Sequence, residues 1–169
     1  MVIVRNALAS DAEAILAFCQ QVGSETDNLS YGGEGLSVSV ADEGMFLDEI
    51  QKSKTSHFLV AEETGEIVGT CNCIAFRKKR LAHRAEVGLA VKRAYWNQGI
   101  GHQLLTRLIA VAQQSGLKVL SLEVRSDNDR AIHLYESLGF QKLGTFKHFM
   151  EINGQVIDFD IMELLLEQK

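Results

Sequence analysis

The chain has 169 residues, 46% of them hydrophobic and 23% charged, which suits one domain over 1–169 with a core of its own and excludes a disordered chain. A formal charge of −5 speaks against a nucleic-acid surface, which needs clustered Lys and Arg, and the one basic run, Arg77 to Arg80, reads as a solvated turn. No apolar run is long enough to span a bilayer, and Met1 to Arg5 lacks the basic start and long apolar stretch of a signal peptide, so a cytoplasmic protein without membrane contact is expected.

Met1 to Arg5 reads as a first strand. Ser10-Asp11-Ala12-Glu13 has the spacing of a capping box, in which the Ser10 hydroxyl and the Glu13 carboxylate serve each other's backbone N–H, and it opens a helix through about Val22. Gly23 to Ser37 is polar and glycine-rich, the kind of loop that faces a substrate. Its acids Glu25, Asp27 and Glu34 carry charge that would attract a cationic amine, although loop carboxylates are ordinarily just solvated. A second helix is expected from about Ala41 to Lys54, with Met45, Phe46 and Ile50 inward.

His57 to Glu62 and Ile67 to Phe76 read as strands joined by the hairpin Glu63-Thr64-Gly65-Glu66, and a third strand from about Ala82 to Val91 completes an antiparallel meander. The next helix runs to Gln114, with Leu104, Leu105, Leu108, Ile109 and Ala112 on one stripe, and stops at Gly116. Val119 to Val124 is a buried strand. Asp127 or Asn128 then caps a helix in which Ile132, Leu134, Tyr135 and Leu138 recur at helical spacing before Gly139. Thr145 to Ile152 and Gln155 to Leu166 flank Asn153-Gly154, a two-residue hairpin turn. The three cysteines, Cys19, Cys71 and Cys73, match neither a disulfide framework nor a zinc site; Cys71 and Cys73 share a strand face and are read as small core groups, and no metal is expected.

Gln98-Gly99-Ile100-Gly101 stands where the meander ends and a helix begins. Such a junction leaves backbone N–H groups free at the positive end of a helix dipole, a receptor for phosphate, and glycine permits both close approach and positive φ. A P-loop would need Lys-Ser/Thr after the second glycine, where His102-Gln103 stands, and a dinucleotide fold would place this loop after the first strand of a parallel sheet.

Glu86 to Val91 with Tyr95 to Gly101, then Leu122-Glu123-Val124-Arg125 with Asn128, Ala131-Ile132, Leu134-Tyr135-Glu136 and Leu138-Gly139-Phe140, and finally the terminal hairpin, resemble the GCN5-related N-acetyltransferase (GNAT) family in the right order over essentially the whole chain. The second block is closest in wording to ribosomal-protein N-terminal acetyltransferases. The resemblance implies an α+β three-layer fold of the acyl-CoA N-acyltransferase type, a mixed and mostly antiparallel sheet splayed between strands 4 and 5, with helices on both faces. It also implies an acetyl-CoA cosubstrate held by Leu89, Ala90, Val91, Asn97, Gln98, Gly99, Ile100, Gly101, His102, Asn128 and Tyr135, with His102 lending a backbone N–H. The reaction implied is direct attack of a primary amine, of a small molecule or a protein N-terminus, on the thioester. Tyr135 would protonate the departing thiolate, and Glu123 or Glu86 would serve as base.

Each residue also has a plain structural reading. Tyr135 fits a core tyrosine, and the two glutamates fit strand residues paired with Arg84 or Arg125. Alternation turns Glu86 away from Val87, Leu89 and Val91 unless a bulge resets the strand. The pattern usually carries Arg or Gln three residues before the first glycine, where Trp96 stands, and often a proline before the loop, whereas this chain has none; both departures bear on loop geometry rather than on cofactor identity. Family habit adds a homodimer. The alternative to an enzyme is a non-catalytic acyl-CoA-binding or sensing domain of the same fold.

Overall fold

The computed structural model of the chain describes residues 1–167. Its strands are β1 (Ile3–Asn6), β2 (His57–Glu63), β3 (Glu66–Ala75), β4 (Arg84–Val91), β5 (Val119–Arg125), β6 (Gln141–Ile152) and β7 (Gln155–Leu165), and its helices are α1 (Ala12–Glu25), α2 (Val40–Lys52), α3 (Ile100–Gln114) and α4 (Asp129–Ser137). The strands form one sheet in the order β1-β2-β3-β4-β5-β7-β6. Every neighbouring pair is antiparallel except β4 and β5, which are parallel and therefore need the long α3 crossover between them. This is the mixed sheet with helices on both faces that the resemblance implies.

Alternation sorts the strand residues into two cores. Leu59, Cys71, Cys73, Val87, Leu120 and Leu122 pack with Leu104, Leu105 and Leu108 of α3 and with Tyr135 of α4. The intervening residues Phe58 and Val60 face the other way and pack with Ile15, Phe18 and Val22 of α1 and Leu47 of α2. Cys71 and Cys73 are fully buried, in keeping with their reading as core groups. At the far edge the buried Asp160 accepts hydrogen bonds from Ser126 Oγ at 2.7 Å and Thr145 Oγ1 at 2.8 Å and pairs with Lys142 Nζ at 3.1 Å, tying β5, β7 and β6 together. No helix among the described residues is long and apolar enough to cross a membrane.

Three local expectations are corrected. Ser10 and Glu13 form no capping box. Instead Asp11 accepts the Leu8 N–H at 2.7 Å and a forked pair of bonds from Arg5 at 2.7 and 2.9 Å, and Arg5 also reaches Glu62 at 2.6 Å. A partly buried Arg–carboxylate fork outweighs the ~1 kcal/mol of a serine cap, so the chain makes a single 3-10 turn, Ala9–Asp11, before α1 begins. The second correction is on α2, where Met45 is 62% exposed and the inward stripe is Glu43, Phe46, Leu47 and Ile50. A charged residue inside that stripe shifted the apparent apolar face. The third is β6, which starts at Gln141 rather than Thr145 and carries register shifts at Lys142/Gly144 and Phe146/Met150, with His148 at φ 55°. Those irregularities hide its alternation.

Candidate active site

β4 and β5 pair only through Arg84 with Val119, Ala85 with Leu120 and Glu86 with Ser121, and then diverge. A cavity of about 820 Å³ runs through the fork, with Val87 to Val91 along one side and Glu123 and Val124 along the other. The β4 edge beyond Glu86 thus lacks a strand partner there, as a slot for an extended ligand requires. The register of β3 on β4 is unbroken from Gly69 with Val91 to Ala75 with Ala85. No bulge resets the parity. Glu86 and Gly88 therefore face the α1/α2 layer, while Val87, Leu89 and Val91 face α3 and α4. Glu123, two residues beyond the Ser121 that pairs with Glu86, shares the facing of Glu86.

At the α3 end, Asn97 at φ 60° and Gly99 at φ 78° turn the chain into the helix, and the Gly99 carbonyl accepts the first helical bond from Gln103 N–H at 3.0 Å. The N–H groups of Ile100, Gly101 and His102 precede that bond, so no helical carbonyl is available to them. Gly101 serves packing instead: a Cβ there would stand 3.3 Å from Leu134 Cδ2, so it allows α3 to approach α4 closely. Trp96 has a definite task. Its indole N–H donates to the Val91 carbonyl at 2.7 Å, and its ring is covered by the Arg130 guanidinium at 3.7 Å, with that of Arg93 at 5.4 Å. It braces the loop against β4 and brings a cation to its rim. Gln98 alone among the expected loop residues does not line the cavity; its side chain donates to the Ala94 carbonyl at 2.9 Å.

Leu89, Ala90, Val91, Asn97, Gly99, Ile100, Gly101, His102, Asn128, Tyr135, Glu86 and Glu123 all line this one cavity. The two glutamates meet. Burial raises the Glu123 carboxyl to about 7, and the hydrogen bond it donates to Glu86 when protonated and the charge of that neighbour add to the rise. The cations that might have quenched it are engaged elsewhere, Arg84 with Glu163 at 3.7 Å and Arg125 with Asp127 at 2.7 Å. On the opposite wall Tyr135 is buried against Phe140, ring centroids 5.7 Å apart, and burial raises its phenol above the usual range. Asn128 caps α4, its Oδ1 accepting the Ala131 N–H at 3.3 Å.

The loop acids do not reach this cavity. Glu25 accepts the Arg93 N–H at 2.7 Å, Glu34 accepts the Gly32 N–H at 2.9 Å, and Asp27 lies in a separate small pocket with Arg125. The α1/α2 wall instead carries Glu43 and Asn72, which sequence reasoning passed over. A signal for Glu43 did exist: it stands three, four and seven residues before Phe46, Leu47 and Ile50, on their helical stripe. Asn72 carried none, since it reads as one polar residue in an alternating strand.

Comparison with known proteins agrees with this geometry. Residues 27–140 match the model of the acetyltransferase (GNAT) family. The N-alpha-acetyltransferase RimI of Mycobacterium tuberculosis is 32% identical over 102 residues, 60% of this chain and 63% of that protein. The L-amino acid N-acyltransferase MnaT of Escherichia coli is 30% identical over 112 residues, 66% of this chain and 65% of that protein. The matched stretch thus spans less than two thirds of the length of these curated relatives. A solved acetyltransferase of the GNAT family from Streptococcus pneumoniae covers 99% of this chain and 100% of its own, with 32% identity and a TM-score of 0.96. With the family's pattern running from the glycine-rich loop to the end of α4, and a solved member matching the fold along the chain, the protein belongs to the acetyltransferase (GNAT) family.

Proposed function

We propose that the chain is an acetyl-CoA-dependent N-acetyltransferase, one domain that transfers acetyl to a primary amine by direct attack with both substrates bound. The observation that carries this reading is the arrangement across the fork: a carboxylate pair on the α1/α2 face and a buried phenol on the α3/α4 side of the same cavity. Family membership supplies the donor, and the fit is good. Three helix N-terminal N–H groups suit the pyrophosphate, and the unpaired edge of β4 from Val87 to Val91 suits the amides of a pantetheine arm.

The residues then divide the work. An ammonium must lose a proton before it can attack, and the Glu86–Glu123 pair, with Glu123 near 7, can take that proton at neutral pH. The pair sits on the side of the sheet that the donor loop does not occupy, so base and donor do not collide. Backbone N–H on β4 supports the thioester oxygen as charge develops there. Tyr135 holds its proton firmly, because burial raises its phenol, and can supply it to the departing sulfur. Asn128 keeps its cap while its amide group borders the donor arm. Family habit adds a homodimer, and the sequence a cytoplasmic location.

The test is thiol release from acetyl-CoA against a panel of amines, beside Tyr135→Phe. An enzyme loses turnover in that variant by about tenfold or more while acetyl-CoA affinity holds. Silence toward every amine with acetyl-CoA bound would favour a sensing domain instead, and turnover unchanged in the variant would take Tyr135 out of the proton transfer.

A further inference from the structure

One charge on the α1/α2 wall is not used by the chemistry proposed above. Glu43 is only 5% exposed and lines the cavity. Among the described residues its carboxylate makes no ion pair and no hydrogen bond; its backbone N–H donates to the Ser39 carbonyl at 3.0 Å. Burial raises its pKa, and no neighbouring cation offsets the rise. A buried carboxylate without a partner is unfavourable, and such a group in a cavity wall is completed by what enters the cavity.

The charges of the cavity are segregated. Glu43, Glu86 and Glu123 line its α1/α2 side, whereas its one arginine, Arg130, and its histidines, His102 and His133, belong to α3 and α4. No Lys, Arg or His from α1, α2, β3, β6 or β7 lines it. An amino acid acceptor brings a carboxylate along with its amine, and this end offers that carboxylate three carboxyl groups and no basic side chain.

Between Glu43 and the glutamate pair the floor is largely apolar. Phe46 lies one turn from Glu43 and meets Phe58 edge-on, ring centroids 6.5 Å apart. Phe58 pairs with Asn72 across β2 and β3, and Asn72 with Gly88 across β3 and β4. Glu43 on α2 and Glu86 on β4 thus line one cavity with this floor between them. Carboxyl groups at two places on one aromatic floor match a dication with an alkyl spacer.

Building on the acetyltransferase reading, we propose that the acceptor is an aliphatic diamine, one ammonium held by Glu43 and the other delivered to the Glu86–Glu123 pair for acetylation. The delivered nitrogen gives one proton to the pair and forms its bond to the thioester carbon. As the carbon–sulfur bond breaks, Tyr135 protonates the departing sulfur, and the second proton lost by the nitrogen makes good the one taken from the phenol. The products are the monoacetylated diamine and coenzyme A.

The test compares 1,4-diaminobutane, n-butylamine and L-methionine as acceptors for the intact chain. The diamine should exceed butylamine in kcat/KM by about tenfold or more, with methionine last, and Glu43→Gln should collapse the diamine-to-butylamine ratio through KM for the diamine. Acetyl-CoA affinity serves as the fold control for the variant, and the ranking by the unaltered protein needs no variant. Butylamine, methionine or a peptide N-terminus used as well as the diamine, or a ratio that survives Glu43→Gln, overturns the inference while leaving the acetyltransferase reading intact. Silence toward every acceptor with acetyl-CoA bound overturns both.

Discussion

At the α3 end of the cavity the binding groups are backbone N–H groups from consecutive residues, shaped by Asn97 and Gly99 at positive φ and braced by Trp96. At the α1/α2 end they are side chains, Glu43 from α2, Asn72 from β3, Glu86 from β4 and Glu123 from β5, which no single stretch of sequence brings together. The first end suits a phosphate through geometry that most side chains do not alter. The second offers a ligand only the charge and reach of individual residues, each open to replacement. One fold can therefore keep a donor while changing its acceptor, and variants at the two ends should fail in different ways.

The largest effect is expected at the carboxylate pair. Glu123→Gln should lower kcat by about 10²–10⁴-fold with acetyl-CoA affinity unchanged, read by steady-state kinetics beside titration calorimetry. Equal losses of both would mean that the two ends are not separable. Gly99→Val should do the reverse. Its φ of 78° is hostile to a β-branched side chain, so the loop should bind acetyl-CoA about tenfold more weakly while kcat at saturation stays within a few-fold.

A pH profile sharpens the same contrast. With Glu123 near 7, kcat/KM should rise about tenfold per unit below that value and level off above it, a limb that Glu123→Gln should remove. Stability runs the opposite way. The folded protein holds this proton more tightly than the unfolded chain, whose glutamate titrates near the ordinary 4.5, so stability present below that value is lost as the pH rises toward 7. After allowance for solvent screening the loss is of order 1 kcal/mol, and thermal melts of Glu123→Gln across this window should not show it. The smallest effect is at Trp96. Replacement by Leu removes the bond to Val91 and the platform for Arg130, and should weaken acetyl-CoA binding about three- to tenfold without altering the pH profile.

The legibility of the two ends in sequence followed the same division. The phosphate loop is contiguous, so the turn, the helix start and the glycines can be read together, and every expected loop residue except Gln98 borders the cavity. Strand parity was equally legible: with no bulge in β4, simple alternation places Glu86 on the α1/α2 face. The expectation that failed at the other end, acids of the 23–37 loop, rested on exposure and charge alone. Glu25 and Glu34 are spent on the backbone N–H groups of Arg93 and Gly32, and Glu43, the acid of the α1/α2 layer that does line the cavity, stands within an otherwise apolar helical stripe. Ser10 shows the same limit on a smaller scale, since its cap was displaced by Arg5, a partner from another element.

The sequence by itself determined the order of strands and helices, the phosphate loop and the helix that presents Tyr135, because these depend on φ, on helical and strand period, and on bonds between near neighbours. Only the tertiary structure decided that Glu86 and Glu123 share a hydrogen bond, that Arg84 and Arg125 are occupied elsewhere, and that Glu43 faces the same cavity unpaired. Those facts depend on the parallel register of β4 with β5 and on how α2 seats against β2. Both are set by the packing of whole layers, which no local window of the chain contains.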